Sequence, residues 1–454
     1  MANSIRENKL FFYLGLWAGK ATKLALKLAN KKVPYYPGTI AGKVCPNIKH
    51  YLNKPKTIIA VTGTNGKSTT CKMLEDFLSS QGLKVINNNG FNTSPGIIAA
   101  LMDSVTIFNR QNYDVAILET DELTSKRIFK DLKIDYLIIT NLFRDSIEKN
   151  GTPEFMASRI KDAIQDNTKL IINGDDALTC TLANDKTVFF GIGDLDTDYK
   201  KPYNLMNDLV LCPKCNEPLK YSNIKYSHIG KYSCKCGYSR PTCKYEISEI
   251  NFKKNYFILN NDKYDLNYNN IPNTYNALGV ISLLQEMGYQ YETINSKFKD
   301  IKILGTRFVS EEKDGKILTS ILAKGQNPAA VSQTFETIGK DKNKKDVVLL
   351  MDDVTAKKNN TCEVEEWLYD SDFEFLDSKS INKVIIGGVR AKDFYVRMLM
   401  TNINPKKILM TYEEKEVVDL IDYEHIKEIV LVHDVFNNDL IKEIKTDIRK
   451  RWYE

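Results

Sequence analysis

The sequence predicts an α/β protein made of two successive strand–helix alternations, with a small metal-binding insert in the first. Three observations predict it. Apolar β-branched runs alternate with helical patterns from about residue 56 to 200, and a second alternation starts at about 315. The first apolar run feeds a glycine-bearing turn that opens a helix, KTIIAVTGTNGKSTT at 56–70. Four cysteines cluster between Cys212 and Cys236, inside the break between the two alternations.

The 454 residues suffice for about three domains. Hydrophobic residues are 43% and charged residues 27%, an ordinary globular balance. The net charge of +6, from 64 basic and 58 acidic residues, is too small for this length to argue for nucleic acid. It fits an anionic substrate or a weak attraction to a membrane surface. No apolar run reaches the roughly 18 residues of a transmembrane helix.

The N-terminal segment LFFYLGLWAG, residues 10–19, has the apolar content of a signal-peptide core, but its pattern continues as an amphipathic helix. Leu14, Trp17, Ala21, Leu24 and Leu28 recur at three- and four-residue steps, and lysines fill the rest. The simplest expectation is that this apolar stripe packs on the domain that follows. The sharper one is that Phe11, Phe12, Trp17 and the lysines rest on an anionic membrane. The expected location is the cytoplasm, or the inner face of the membrane, with residues 1–50 as helix and linker.

Strands are expected at IIAV, VAIL (115–118), YLIIT (136–140) and KLIING (169–174), with helices near 68–82 and 273–288. The expected domains are 51–305, carrying an insert at about 208–243, and 306–454. In the second, VVLLMDD, KVIIGG, KILMTY and EIVLVHD read as strands of a doubly wound, Rossmann-like unit.

The turn after the first strand carries the chemistry. Backbone N–H groups at such a turn and at the helix start cradle phosphate. Gly63, Thr64, Asn65, Gly66, Lys67, Ser68 and Thr69 are therefore the candidate ATP loop. Lys67 is placed to neutralise the phosphates and Ser68 to ligate Mg²⁺. Val61 stands where the usual loop has its first glycine, so the loop is a variant. Glu119 ends the strand VAIL and is the candidate Mg²⁺ carboxylate, with Asp121 and Glu122 beside it in an acidic loop. Asn141, Arg144 and Asp145 follow the next strand, at the same sheet edge. CPKC (Cys212, Cys215) and CKCG (Cys234, Cys236) have the spacing of a structural four-cysteine zinc ribbon. The second knuckle is C-x-C, which leaves His228 and Cys243 as alternative ligands.

GTNGKSTT, ILETDE, TNLFRD and NTYNALG occur in this order and together resemble the Mur ligase family. The resemblance spans nearly the whole chain. It implies a central ATPase domain, a C-terminal Rossmann-like domain, and ATP-dependent activation of a carboxylate as an acyl phosphate that an amine attacks. It assigns Lys67, Ser68 and Glu119 to ATP and Mg²⁺. Asn141 and Asp145 take the γ-phosphate loop, Asn276 the adenine, and Arg307 a place near the nucleotide. The cysteine cluster, Phe143-Arg144-Asp145, and WLYDSDFE at 367–374 resemble the MurT branch. That branch implies amidation of the D-glutamate α-carboxylate of lipid II, with ammonia from a GatD-type glutamine amidotransferase. Its aspartate that completes the partner's catalytic triad falls on Val364 here, so Glu363, one residue earlier, is the candidate. Two rivals are a Mur-like ligase that uses another amine, and a zinc-ribbon nucleic-acid-binding ATPase. The dispersed basic residues, without a basic-aromatic stripe, speak against the second.

Overall fold

The structure is a computed structural model that describes residues 2–31, 33–145, 150–265, 270–299, 301, 308–323, 327–351, 366–434 and 438–453. Arg307 and Glu363 lie outside the described residues. The chain divides into two compact units. One comprises Met1–Phe143, Thr152–Lys201 and Leu209–Ile303; the other comprises Arg144–Gly151, Pro202–Asp208 and Leu304–Glu454.

The first unit is built on a sheet that begins with β1 (Thr57–Thr62), β2 (Val85–Asn87) and β3 (Val115–Glu119). It continues with β4 (Tyr136–Ile139), β5 (Lys169–Asn173) and β6 (Val188–Ile192). From Ile58 through Thr62, and throughout β3, every residue is buried. Strands of a parallel sheet are covered on both faces, which is why they read as continuous apolar runs rather than alternating ones. β1 lies between β3 and β4, with β2 outside β3 and β5 and β6 outside β4. The winding thus reverses at β1, and the carboxyl ends of β1, β3 and β4 frame the crevice that such a reversal opens.

β6 pairs in parallel with β9 (Tyr245–Asn251). The long connection between them holds the antiparallel hairpin of β7 (Lys220–Tyr226) and β8 (Ile229–Ser233). β10 (Tyr256–Leu259) and β11 (Asp262–Asp265) finish the order, nine strands among the described residues, as an antiparallel edge.

The N-terminal helix α1 (Ala2–Leu28) packs differently from the simplest expectation. Its contact with α2 (Tyr36–Val44) uses the face of Phe12, Gly15, Leu16 and Gly19. A Cβ on Gly19 would stand 2.2 Å from Met102 Cε and 3.0 Å from the Pro37 carbonyl oxygen, so glycine is what lets the backbones approach. Phe12 and Leu16 are buried, whereas Leu14, Trp17, Ala21, Leu24 and Leu28 face solvent. The apolar stripe is therefore the outer face, and Phe12, grouped by sequence with the membrane-facing aromatics, belongs to the core.

The second unit has its own six-stranded sheet among the described residues. A hairpin of β12 (Phe308–Lys313) and β13 (Lys316–Leu322) leads into parallel β14 (Lys345–Leu350), β15 (Ile381–Gly387), β16 (Ile408–Thr411) and β17 (Glu428–His433). The order is β12-β13-β17-β14-β15-β16. Trp367, Phe335, Phe373 and Phe394 pack in one of its cores. Both alternations expected from sequence are thus sheets, and the fold class is as predicted.

Candidate active site and metal centre

The turn after β1 needs glycine at both its glycine positions. Gly63 has φ +121° and a Cβ there would stand 2.3 Å from Thr140 Oγ1. Gly66 has φ +87° and its Cβ would strike Asn276 Oδ1 at 2.1 Å. Both conformations are costly for residues with a side chain. Asn276, on the helix Ile271–Glu286, is thereby brought against the loop.

The TNLF segment after β4 is the scaffold of this loop. Thr64 N–H donates to the Asn141 carbonyl at 2.8 Å, and Asn65 N–H donates to Asn141 Oδ1 at 3.0 Å. Thr140 Oγ1 donates to the Asn65 carbonyl at 2.7 Å. Phe143 N–H donates to Thr64 Oγ1 at 2.9 Å. Asn141 thus fixes the loop's shape through its own amide.

Helix α3 (Lys67–Ser80) starts at Gly66 without a side-chain cap and without an acidic residue in its first turn. Its first N–H groups point out of the helix with a positive dipole end, which is the requirement for an anion site. Lys67 Nζ lies 2.7 Å from Glu122 Oε1. Burial raises the Glu122 carboxyl above the usual range, and Lys67 opposes that rise. Ser68 Oγ donates to Glu119 Oε2 at 2.7 Å, so these two predicted Mg²⁺ ligands meet at one point. Thr69 is half-buried on the same helical turn.

Asn88 holds Glu119 in place. Its Oδ1 accepts from Glu119 N–H and its Nδ2 donates to the Glu119 carbonyl, both at 2.8 Å. β2 pairs with β3 only as far as Asn87, and the Asn88 side chain then replaces the missing strand backbone. Sequence reasoning missed both Asn88 and the role of Glu122. Asn88 lies in the run NNNG, which reads as a turn, and Glu122 was one of three carboxylates in ETDE.

Arg144 and Asp145 belong to the second unit. Arg144 Nε pairs with Asp208 Oδ1 at 2.5 Å, and its Nη1 lies 3.1 Å from Asp370 Oδ2. Asp145 is buried, and its carbonyl accepts from Asn150 Nδ2 at 2.9 Å.

The four cysteine sulfurs converge within 4.8 Å of one another. Cys212 and Cys236 are 3.8 Å apart and Cys215 and Cys234 are 3.4 Å apart. A tetrahedron with metal–sulfur bonds of about 2.3 Å has edges of roughly 3.8 Å, so the cluster is compatible with zinc. Hydrogen bonding from the Tyr238 backbone first, then from neighbouring thiols, lowers the Cys236 thiol to about 7. His228 is not part of the cluster. It sits buried with its ring centroid 4.4 Å from that of Phe143 and Nε2 3.8 Å from Asp176 Oδ1. Cys243 is likewise outside the cluster, beside Gly174 and Gly191. The hairpin is also no pendant. The Gly230 N–H donates to the Asp175 carbonyl, Arg240 Nε just beyond the hairpin donates to the Asp175 carboxylate, and Tyr232 packs in the main core.

Comparison with known proteins agrees with this arrangement. The Mur ligase middle domain matches residues 61–210, and the MurT ligase C-terminal domain matches 324–434. A Staphylococcus aureus (strain COL) protein named "Lipid II isoglutaminyl synthase (glutamine-hydrolyzing) subunit MurT" is 30% identical over 410 residues, covering 89% of this chain and 91% of its own. A protein of the same name from Streptococcus pneumoniae (strain ATCC BAA-255 / R6) is 27% identical over 423 residues, covering 91% and 92%. Among solved structures, a pseudomurein peptide ligase type C from Methanothermus fervidus superposes with TM-score 0.69 at 24% identity, over 89% of this chain and 81% of that one. MurF from Acinetobacter baumannii gives 0.64 at 13% identity, over 90% and 80%. The fold implies ATP and Mg²⁺. With the phosphate loop, the Ser68–Glu119 pair and both domain matches in one chain, this protein belongs to the MurT family of Mur-type carbon–nitrogen ligases.

Proposed function

We propose that the chain uses ATP to activate the α-carboxylate of D-glutamate in the stem peptide of lipid II, and that ammonia from a GatD-type glutamine amidotransferase converts it to the amide. The observation that carries the chemistry is the convergence of an uncapped helix N-terminus, Lys67 and the Ser68–Glu119 pair at one sheet edge. The names of the S. aureus and S. pneumoniae relatives supply lipid II as substrate and glutamine as nitrogen source, and the word subunit in them supports a second chain.

In the first step a carboxylate oxygen bonds to the γ-phosphorus of ATP, and ADP leaves with the electrons of the broken P–O bond. In the second the ammonia nitrogen bonds to the acyl carbon, phosphate leaves with the C–O electrons, and the nitrogen sheds a proton to solvent. Both steps ask for charge neutralisation more than for an acid or base on the protein. Lys67 and the helix N–H groups hold the phosphates, Asn141 keeps the loop in shape, and Asn276 and Arg307 serve the nucleotide. Ser68 and Glu119 present two hard oxygens, one of them anionic, which suits Mg²⁺. Bound there, Mg²⁺ would supply Lewis-acid neutralisation of the phosphate charge. A zinc ion held by Cys212, Cys215, Cys234 and Cys236 would be structural, because all four ligands come from the protein.

The test is amidation of detergent-solubilised lipid II by the purified chain with ATP, Mg²⁺ and an ammonium salt, then with glutamine and the amidotransferase. The expected product is a stem peptide in which one carboxylate has become a carboxamide, read by mass spectrometry. ATP hydrolysis beside an unmodified stem peptide in both assays would overturn the assignment.

A further inference from the structure

From Leu10 to Leu28 the outer face of α1 carries an apolar row. Leu10, Leu14, Trp17, Leu24 and Leu28 are 61%, 42%, 47%, 59% and 79% exposed, and Phe11 is 52% exposed. Their spacing of three and four residues puts them on one side of the helix, with Ala21 completing the row. The patch does not stop at the helix. Trp17 Nε1 donates to the Ile107 carbonyl at 2.9 Å, and Ile107 and Phe108 are themselves 51% and 64% exposed. Scattered exposed leucines need no explanation, but a contiguous row of this size does.

Charge is distributed to match. No aspartate or glutamate occurs between Glu7 and Glu75, while ten lysines lie between residues 8 and 56. The whole chain carries only +6, so everything beyond this N-terminal region is net negative. At least four of these lysines have structural tasks. Lys20 Nζ donates to the Met102 and Val105 carbonyls, and Lys23 pairs with Asp103. Buried Lys49 donates to the Arg127 carbonyl and lies 3.5 Å from Asp131, and Lys54 donates to the His50 carbonyl. Lys9, Lys27 and Lys31 are exposed on or just beyond the same helix.

We infer that this face docks the protein on an anionic lipid bilayer, with α1 lying in the interface plane. The inference deepens the proposed function, since a lipid-linked substrate lives in that surface, but it stands on the helix itself. An interfacial helix combines an apolar face with lysines that attract anionic headgroups, and neither signal alone anchors stably. A second copy of the chain is a poorer occupant, because it would bring one lysine-rich region against another. Nucleic acid is poorer too, because it offers nothing to cover leucines and phenylalanines.

The experiment is vesicle co-sedimentation of the full chain without ATP or lipid II. Phosphatidylglycerol-containing vesicles should bind at least about tenfold more tightly than phosphatidylcholine vesicles, and molar salt should erase the difference. Leu24→Gln/Leu28→Gln should weaken binding about tenfold, because it removes two inserted side chains. Lys27→Glu/Lys31→Glu should do the same through charge. All four positions are exposed, so melting temperature and amidation in detergent should match wild type. Wild-type protein left in the supernatant with both vesicles would overturn the inference, as would a leucine variant that binds normally. Dimerisation lost in the leucine variant, or binding of duplex DNA without vesicle binding, would overturn it in favour of the other occupants. Because the vesicle assay contains no substrate, its failure leaves the amidation reading intact, and a failed amidation leaves docking intact.

Discussion

Lys67 Nζ stands 2.7 Å from the Glu122 carboxylate, and both side chains are largely shielded, at 12% and 5% exposure. Lys67 is therefore already part of a buried ion pair. Breaking such a pair from one side costs about 3 kcal/mol or more, because the remaining charge is left without a partner.

The first prediction follows from that pairing. Burial raises Glu122 above the ordinary glutamate value of 4.5, and Lys67 is the main force holding it down. Lys67→Ala should push it higher still. A carboxyl raised by folding stabilises the fold below its ordinary value, and that contribution is lost as pH rises through the elevated value. Lys67→Ala should thus melt well below wild type at pH 8, with the gap closing as pH falls toward 5. Lys67→Ala/Glu122→Gln should remove the pH dependence of the gap. Thermal melts of the three proteins across that range measure it, and a constant gap would refute the coupling.

Lys67 also has a catalytic prediction. Removing one preorganised charge from a phosphoryl-transfer site costs roughly 10²–10³-fold in turnover. Lys67→Ala should lose that much ATP-dependent amidation with added ammonium, measured in detergent. Wild-type turnover would remove this loop from the reaction.

Asn88 should act on Mg²⁺ through Glu119. Its amide makes both backbone bonds of Glu119, and residues that orient a ligand typically change metal affinity 10–100-fold when lost. Asn88→Leu keeps bulk and loses both bonds. It should raise the half-saturating Mg²⁺ concentration about tenfold while saturating Mg²⁺ restores most of the rate. A lowered rate that Mg²⁺ does not restore would make Asn88 a folding residue only.

The glycine turn after β1 and Glu119 at the end of β3 were legible because each ends a strand of continuous apolar residues, and the four cysteines because their spacing is itself a local pattern. What was not legible depends on packing. The apolar stripe of α1 reads as a buried face, yet Gly15 and Gly19 decide the contact, because only they admit α2 so closely. β12, with the sequence FVSEEK, is an exposed edge strand with no apolar run to announce it. Asn88 and Glu122 acquire their roles from long-range contacts with Glu119 and Lys67, which spacing along the chain does not encode. His228 stood as an alternative ligand because the second knuckle is C-x-C, and the turn of the hairpin places it against Phe143 instead.

Zinc gives a prediction with a stability readout. Metal analysis should find about one zinc per chain. Such sites supply on the order of 10 kcal/mol to an isolated small domain, and less here, because Tyr232 and Tyr238 tie the hairpin to the main core. Cys212→Ser should lower the melting temperature and soluble yield while ATP turnover per folded molecule changes little. Metal-free protein with the wild-type melting temperature would exclude a structural site.

The last prediction concerns the partner. If Glu363 supplies the orienting carboxylate of the amidotransferase triad, it must hold a histidine of that enzyme in its productive tautomer. Loss of such a carboxylate costs roughly 10⁴-fold where it has been tested in other triads. Glu363→Gln should then depress amidation from glutamine by a large factor and leave amidation from ammonium nearly intact, because in the proposed mechanism carboxylate activation falls to Lys67, Ser68 and Glu119 instead. Glu365 and Glu366 are neighbours with the same charge, so Glu365→Gln and Glu366→Gln serve as controls and should leave both rates unchanged. The measurement is the ratio of the glutamine rate to the ammonium rate on the reconstituted complex. Equal loss with both nitrogen sources would place Glu363 in folding or in ATP chemistry. No loss with either would remove it from the triad and assign the orienting carboxylate to another residue.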